Sequence, residues 1–235
     1  SQRPDWWKGK VVWITGASGG IGASFAREVA KMGATVVLSA RREKELEEVK
    51  ASCPVVAPCT AHGIVVLDAA DCATHEAKVN EVIQKFGRID VLVLNAGRGA
   101  SELVKNLDLD ATRRMWELNV LGPASLTKFA LKSMMKSSTR CSIAITSSLA
   151  GKIAMPGNAS YSMTKFGVQG FFEALRWEVK DNVDVTLICP GVVSTDFGAN
   201  KIVGKTEGGS KESVSSKSTG SQPLSADRCA ELMAI

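Results

Sequence analysis

The chain has 235 residues, of which 45% are hydrophobic and 23% charged, which is enough to bury the core of one large α/β domain. Its net charge of +5 comes from 29 basic and 24 acidic residues spread along the chain, and the lack of a basic tract argues against nucleic-acid binding. The six cysteines contain no Cys-x-x-Cys pair, which favours a reducing compartment over a disulfide framework or a zinc site.

Short β-branched runs alternate with helical segments along the chain. The pattern predicts six strands, near residues 10–15, 34–39, 64–67, 90–95, 141–146 and 183–189. It also predicts six helices, near residues 20–32, 43–51, 72–86, 108–135, 159–181 and 225–235. Nearly continuous Val, Ile and Leu in the strands indicates burial on both faces. We therefore predict one α/β domain, a Rossmann-type doubly wound parallel sheet flanked by helices, with ligands at the carboxyl ends of the strands.

A glycine-rich turn follows the first predicted strand and opens the first of these helices. Its sequence is Thr15-Gly16-Ala17-Ser18-Gly19-Gly20-Ile21-Gly22. Glycines let the backbone approach a pyrophosphate, whose charge meets the free N–H groups of the helix. The spacing is G-x-x-x-G-x-G, so the G-x-G-x-x-G fingerprint is not met. The same residues match the G-x-S-x-G of hydrolases, but the late histidine that such a fold needs is missing, since only His62 and His75 exist.

The end of the second predicted strand indicates which dinucleotide is bound. Ala40 stands where an NAD enzyme usually places an acidic residue for the ribose hydroxyls, and Arg41 follows it. A guanidinium is suited to a 2′-phosphate, which an acid would repel. The alternative is that Arg41 and Arg42 are solvated residues at a helix start.

A tyrosine and a lysine four residues apart occur in the fifth predicted helix. Tyr161, the only tyrosine of the chain, has an unperturbed pKa near 10 and is a poor base at neutral pH. Lys165 lies on the same helix face, and a cation at about 4–6 Å lowers an acid's pKa by roughly 1–3 units. We therefore expect Lys165 to lower the pKa of Tyr161, although the pair alone is also an ordinary amphipathic spacing.

Other residues near this helix carry weaker signals. Ser148 ends a buried strand at the ligand edge and can reach a substrate oxygen, with Ser147 as the alternative. Asn158 is interpreted as a helix N-cap. The segment 208–223, rich in serine, glycine and lysine, is predicted to be a mobile surface loop or a lid.

These motifs occur together in an order that resembles the short-chain dehydrogenase/reductase family over nearly the whole chain. They are Thr15-Gly16-x3-Gly20-Ile21-Gly22, Asp68, Asn95-Ala96-Gly97, Asn119, Ser148, Tyr161-x3-Lys165, and Pro190-Gly191 with Thr195. Within the family the chain is similar to the member-seven branch of the dehydrogenase/reductases and, more loosely, to 11β-hydroxysteroid dehydrogenase type 1. The segments that carry this similarity include Leu38-Ser39-Ala40-Arg41-Arg42 and Phe86-Gly87-Arg88-Ile89-Asp90.

The resemblance implies an NADP(H)-dependent enzyme that transfers hydride between nicotinamide and a lipid-like carbonyl or alcohol of the steroid or retinoid type. It implies a catalytic set of Asn119, Ser148, Tyr161 and Lys165, with the serine thirteen residues before the tyrosine. It implies that Asn119 holds a water in a proton relay from Lys165, that Asp68 receives the adenine amino group and that Thr195 holds the carboxamide. The implied cofactor contacts are Gly16, Ser18, Gly20, Ile21, Gly22, Arg41, Asp68, Asn95, Gly97, Tyr161, Lys165, Pro190, Gly191 and Thr195.

The remaining expectations concern assembly and location. The family usually pairs through its long helices, which implies a homodimer or homotetramer. No apolar run approaches the roughly 18 residues that cross a bilayer. We expect the chain to be a fragment that lacks a seventh strand, in the cytoplasm or, through a missing upstream anchor, at the endoplasmic reticulum membrane. Trp6 and Trp7 are interpreted as packing residues, with a membrane-interface role as the alternative.

Two alternative functions remain open. One is a non-catalytic NADP(H)-binding sensor or subunit, and the other is a 3-oxoacyl-thioester reductase.

Overall fold

The structure is a computed structural model that describes residues 4–203 and 222–235. All but the last two residues of the segment 208–223 therefore lie outside the described residues. The strands are, in chain order, β1 (Val11–Thr15), β2 (Thr35–Ser39), β3 (Gly63–Ile64), β4 (Val91–Leu94), β5 (Ala100–Ser101), β6 (Cys141–Thr146), β7 (Val183–Ile188), β8 (Val193–Ser194), β9 (Ile202–Val203) and β10 (Leu224–Ser225). The α-helices are α1 (Pro4–Trp7), α2 (Gly20–Lys31), α3 (Glu43–Ser52), α4 (His75–Phe86), α5 (Leu109–Trp116), α6 (Gly122–Met134), α7 (Ala159–Glu178) and α8 (Ala226–Met233).

Six strands form one parallel sheet in the order β3-β2-β1-β4-β6-β7. In its middle, Val12 of β1 lies between Val36 of β2 and Val91 of β4. The chain first extends the sheet from β1 toward β3 and then returns to continue from β4 on the other side. The prediction of a doubly wound α/β fold is confirmed, and the reversal between β1 and β4 creates the crevice where such sheets bind ligands.

The core lies on both faces of this sheet. Successive strand residues point to opposite faces, so that Trp13 and Ile14, both fully buried, belong to two different clusters. Helix α7 covers the first cluster with Phe172, and α2 covers the second with Phe25. Burial of each large apolar side chain contributes roughly 1.5–3 kcal/mol. This double burial explains why β1 and β4 are almost entirely apolar, whereas the edge strand β7 alternates buried Val183 and Val185 with exposed Asp184 and Thr186.

The predicted helix 108–135 is interrupted in the structure. A π-helical turn, Glu117–Leu121, separates α5 from α6. The physical reason is Pro123, which stands at the start of α6, has no N–H and cannot donate to the carbonyl four residues earlier. The extra residue of the π-turn pushes Asn119 out of the regular helical spacing.

Smaller differences occur at other element ends. The third strand is shorter than the predicted 64–67, although Val65 and Leu67 still donate to the carbonyls of Leu38 and Ala40 in line with the sheet. Trp7 is buried, packs against Phe25 and donates to the carbonyl of Ala234, so its packing role is confirmed. Within the described residues, no helix combines the length and apolar character needed to cross a bilayer.

Candidate active site

The glycine-rich turn after β1 has the geometry of a backbone cradle. Gly16 and Gly20 have positive φ angles of 67° and 54°, which favour glycine. A Cβ on Gly16 would lie 2.8 Å from the Cα of Ala96, and one on Gly22 would lie 2.5 Å from the carbonyl of Gly16. A Cβ on Gly19 would meet nothing within 4 Å among the described residues. The turn is therefore closely packed at Gly16 and Gly22 and open at Gly19.

The start of α2 faces this open side. Gly19 is its N-cap and has no side chain, so no side-chain cap occupies the first N–H groups. Free N–H groups and the positive end of the helix dipole together bind anions such as phosphate. Gly20, Ile21 and Gly22 form the first turn, as the sequence predicts for a pyrophosphate site.

Thr15 and Asn95 join the carboxyl ends of three strands beneath the turn. The Thr15 hydroxyl accepts from the N–H groups of Asn95 and Ala96 at 3.0 and 3.2 Å. The Asn95 amide donates to the carbonyls of Thr15 and Gly16, and its oxygen accepts from the Thr146 hydroxyl. The Asn95 side chain is thus directed to the protein and holds the turn in place.

The two arginines after β2 have different surroundings. Arg42 donates to the Ser18 hydroxyl at 3.2 Å and pairs with Glu45 at 3.1 Å. Arg41 is exposed and has no ion pair within the part of the chain that the structure describes. Ser18 and Arg41 are both expected cofactor contacts, and the structure places Ser18 against Arg42, which the sequence analysis considered only as a solvated residue.

Asp68 follows the segment that continues β3 along the sheet, where Leu67 donates to the carbonyl of Ala40. Its side chain is exposed, and its Oδ1 accepts from the Ala70 N–H at 3.0 Å. Its contact with an adenine, which the resemblance implies, stays a prediction.

Tyr161 stands in the first turn of α7, and its hydroxyl lies beside the Ser148 side chain, which acts to lower the pKa of the tyrosine. Ser148 begins a 3₁₀ turn, and its Oγ also accepts from the Ala150 N–H at 3.1 Å. Ser147 is buried instead, and its Oγ accepts from Gln169 at 3.0 Å. The structure thus brings Ser148, and not Ser147, to the tyrosine.

Lys165 is buried one turn beyond Tyr161. Its Nζ donates to the carbonyl of Thr146 at 2.7 Å and lies 5.7 Å from the centre of the tyrosine ring. Burial lowers the pKa of Lys165 to about 8, with a small opposing influence from Cys189. A lysine with this pKa can take up and release protons near neutral pH.

The pKa of Tyr161 differs from the expectation. Burial is the larger influence and raises the pKa, and the neighbouring Ser148 side chain lowers it. The prediction that Lys165 lowers this pKa is therefore wrong for the protein groups alone, because desolvation disfavours the charge on both side chains.

Asn119 is displaced by the π-turn toward the loop after β4. Its Oδ1 accepts from the Arg98 N–H at 2.9 Å, while its Nδ2 donates to the Arg98 carbonyl at 2.8 Å and to Thr164 at 3.1 Å. A Cβ on Gly97 would lie 3.3 Å from the Asn119 Oδ1 and 3.9 Å from the Lys165 Nζ. Asn119, Gly97 and Lys165 therefore meet at one point.

The loop after β7 borders the opposite side. The Pro190 carbonyl accepts from Leu149, and Thr195 contacts the position of a Gly20 Cβ at 3.3 Å. The Phe197 ring lies 6.0 Å from that of Tyr161. The loop that carries Pro190, Gly191 and Thr195 thus reaches the glycine turn through Thr195 and the tyrosine through Phe197.

Sequence reasoning missed two supports of this site. Thr164 accepts from Asn119 and donates to the Tyr161 carbonyl at 2.8 Å. Its position three residues after Tyr161, on the same helix face, is the signal that could have found it. The second, Thr15, was noted only as part of the glycine motif. Asn158 is at the N-cap position of α7, but its side chain makes no cap bond within the described residues, so that prediction holds for position alone.

Comparison with known proteins is consistent with this geometry. The sequence pattern of the family described as short chain dehydrogenase matches residues 10–205. Dehydrogenase/reductase SDR family member 7 of Homo sapiens is 37% identical over 239 residues, which cover 100% of this chain and 69% of that protein. Member 7B of Mus musculus is 36% identical over 212 residues, covering 89% of this chain and 64% of that protein.

Solved structures have the same architecture. An alcohol dehydrogenase from Thermococcus sibiricus, complexed with 5-hydroxy-NADP, matches with a TM-score of 0.81 and 27% identity over 97% of this chain and 89% of that one. A 3-ketoacyl-(acyl-carrier-protein) reductase from Brucella melitensis, complexed with NADH, matches with a TM-score of 0.82 and 26% identity over 97% and 90% of the two chains. Both relatives bind a nicotinamide dinucleotide, one phosphorylated and one not.

Proposed function

Because this chain belongs to the short-chain dehydrogenase family of oxidoreductases, we propose that it is an NADP(H)-dependent enzyme that interconverts a carbonyl and an alcohol on an apolar substrate. The observation that carries the proposal is the grouping of Tyr161, Ser148 and Lys165 at the ligand edge of the sheet, with the tyrosine hydroxyl beside Ser148 and the buried lysine one turn away. NADPH would supply the hydride, and the glycine turn, Asp68 and the loop 190–195 would hold it.

The residues of the chain divide the proton chemistry among them. The Tyr161 hydroxyl donates its proton to the carbonyl oxygen as negative charge develops there, and the Ser148 hydroxyl orients the same oxygen. Lys165, with a pKa of about 8, replaces the proton at neutral pH. Asn119 fixes the backbone of Arg98 beside Lys165, and we propose that it also holds the water that reaches solvent.

The preference for NADP(H) rests on Arg41. Its guanidinium is exposed and has no ion pair with the described residues, and no acid occupies position 40. Arg42 is held by Ser18 and Glu45, which orients the neighbouring backbone. A free guanidinium beside the ribose position is suited to a 2′-phosphate.

An apolar substrate is supported by the side chains around the tyrosine. The loops that precede α7 and follow β7 expose five large apolar residues, of which Phe197 packs beside the Tyr161 ring: Leu149, Ile153, Met155, Val192 and Phe197. Exposed apolar groups that cluster beside a catalytic group mark a surface that binds apolar ligands. This favours steroid- or retinoid-like carbonyls over small polar ones.

A 3-oxoacyl-thioester substrate is the second candidate, favoured by the likeness to the Brucella reductase. The same assay separates the two, since purified protein can be offered NADPH with steroid, retinoid, small-carbonyl and 3-oxoacyl-thioester substrates. A non-catalytic sensor would turn over none of them.

The decisive variant is Tyr161→Phe. It should lower turnover by about 10²-fold or more while NADPH binding, followed by cofactor fluorescence, stays close to normal. Undiminished turnover would overturn the proposal.

In the same assay, Arg41→Ala should raise the KM for NADPH and leave the KM for NADH unchanged. Equal changes in the two KM values would contradict the preference for NADP(H).

A further inference from the structure

A buried carboxylate lies beneath the start of α7. The side chain of Glu102 is 1% exposed, and its Oε1 accepts from the Ser160 hydroxyl at 2.9 Å, with Ser160 itself 3% exposed. The second oxygen, Oε2, is also buried and meets no donor within the described residues. Burial of a carboxylate is costly unless a structural gain offsets it, so this contact calls for an explanation.

Glu102 is also tied to the same place through its backbone. Its N–H donates to the Gly157 carbonyl at 2.8 Å, and it forms a parallel bridge with Asn158, the N-cap residue of α7. The first-turn N–H groups and the positive helix end stabilise a negative charge at this position. The carboxylate therefore lies at the N-terminal end of α7, where the side chain of Asn158 makes no cap bond within the described residues.

The contact lies between two groups of the candidate active site. Ser160 directly precedes Tyr161, whose hydroxyl meets Ser148. At the other end of the short segment 98–102, the backbone N–H and carbonyl of Arg98 both form hydrogen bonds with the side-chain amide of Asn119. The segment thus connects the π-turn to the helix that carries the tyrosine.

We propose that Glu102 is a positioning residue that, through the Ser160 hydroxyl, fixes the first turn of α7 so that the Tyr161 hydroxyl meets Ser148. This role rests on the proposed function, because it is a role in placing the proton donor. Glu102, which belongs to none of the recognised motifs, thus controls the position of the Tyr161 hydroxyl.

The chain offers a clean readout, because Tyr161 is its only tyrosine. Protein labelled with ¹³C at the tyrosine ring carbon that bears the hydroxyl gives one resonance, whose chemical shift reports the surroundings of the hydroxyl, Ser148 among them, at neutral pH. Ser148→Ala defines the shift when that neighbour is lost. Ser162→Ala is the matched control, since Ser162 is buried on the same helix and its hydroxyl has no partner in the described part of the chain.

Glu102→Ala and Ser160→Ala should each move the resonance toward the Ser148→Ala value and lower kcat by roughly 10- to 100-fold, as expected for a misplaced catalytic group, with the KM for NADPH unchanged. The double variant should be no worse than either single one, because both remove the same contact. Glu102→Gln retains the acceptor for Ser160 and should stay close to wild type.

If Glu102→Ala and Ser160→Ala both give the wild-type resonance, or behave like Ser162→Ala, the positioning role is wrong. In that case Tyr161→Phe is still expected to be inactive, and the proposed function is unaffected. If Tyr161→Phe retains full turnover, the proposed function fails, whereas the resonance still reports whether Glu102 places the tyrosine.

Discussion

The buried Lys165 lowers the free energy of unfolding of the chain. Its pKa of about 8 in the folded chain lies below the ordinary 10.5, because burial penalises the ammonium. Between these values the unfolded chain binds a proton that the folded chain does not. The resulting loss of stability is fully present below the folded pKa and disappears as pH rises above the unfolded pKa.

We expect Lys165→Met to abolish turnover and yet to stabilise the fold at pH 7. A shift of this size corresponds to roughly 3 kcal/mol, less about 1 kcal/mol for the lost bond to Thr146. Urea unfolding at pH 7 and pH 10 measures the effect, and the gain should shrink at the higher pH. Lys44→Met, an exposed change, is the control. A Lys165→Met variant that is less stable than wild type at pH 7 would contradict the argument.

At the scale of elements, the π-turn between α5 and α6 places Asn119. Its cause is local, since Pro123 cannot donate a backbone hydrogen bond. Its effect is distant, because the displaced amide clasps Arg98 on the loop after β4 and reaches Thr164 on α7. Through Asn119, the π-turn is therefore bonded both to the loop after β4 and to α7.

Pro123→Ala should restore this N–H and allow a regular helix to form through Asn119. We predict a fall in kcat of about 10-fold or more, since withdrawal of Asn119 misplaces the loop beside Lys165, with thermal stability equal to or above that of wild type. Steady-state kinetics and calorimetry test this. Pro54→Ala, outside the helices, should change neither quantity, and unchanged kcat in Pro123→Ala would refute the link.

At the scale of the whole molecule, α7 has an apolar face on each side. One side covers the sheet with Val168 and Phe172. The other exposes a stripe at helical spacing that consists of Met163, Phe166, Gly170, Ala174 and Trp177. A continuous exposed apolar stripe on a long helix marks an interface, and we propose that two copies of the chain pair through it.

Phe166→Glu should convert the assembly to monomers, because two copies would bring buried carboxylates together at a twofold interface. Sedimentation velocity measures the change in mass. Val55→Glu places the same charge on an exposed apolar residue outside the stripe and should leave the assembly intact. A wild-type chain that already sediments as a monomer would exclude this interface.

The sequence alone determined the architecture and the reaction class. Apolar strands alternating with helices encode burial on both faces of a sheet, and this pattern is local enough to be recognised without coordinates. The glycine turn after β1 and the Tyr161-x3-Lys165 pair follow from spacing within single elements. The member-seven resemblance was likewise carried by short segments, and the 37% identity to the human relative supports it.

The tertiary structure decided what depends on contacts between distant residues. Ser147 and Ser148 are adjacent and chemically identical, and only their packing against Gln169 and Tyr161 separates them. The direction of the Tyr161 pKa could not be predicted, because it depends on how deeply the ring is buried. Glu102 and Ser160 are 58 residues apart and belong to no motif. Their contact exists because folding brings the residue after β5 against the first turn of α7. A hydrogen bond that is shielded from water in this way is stronger than an exposed one.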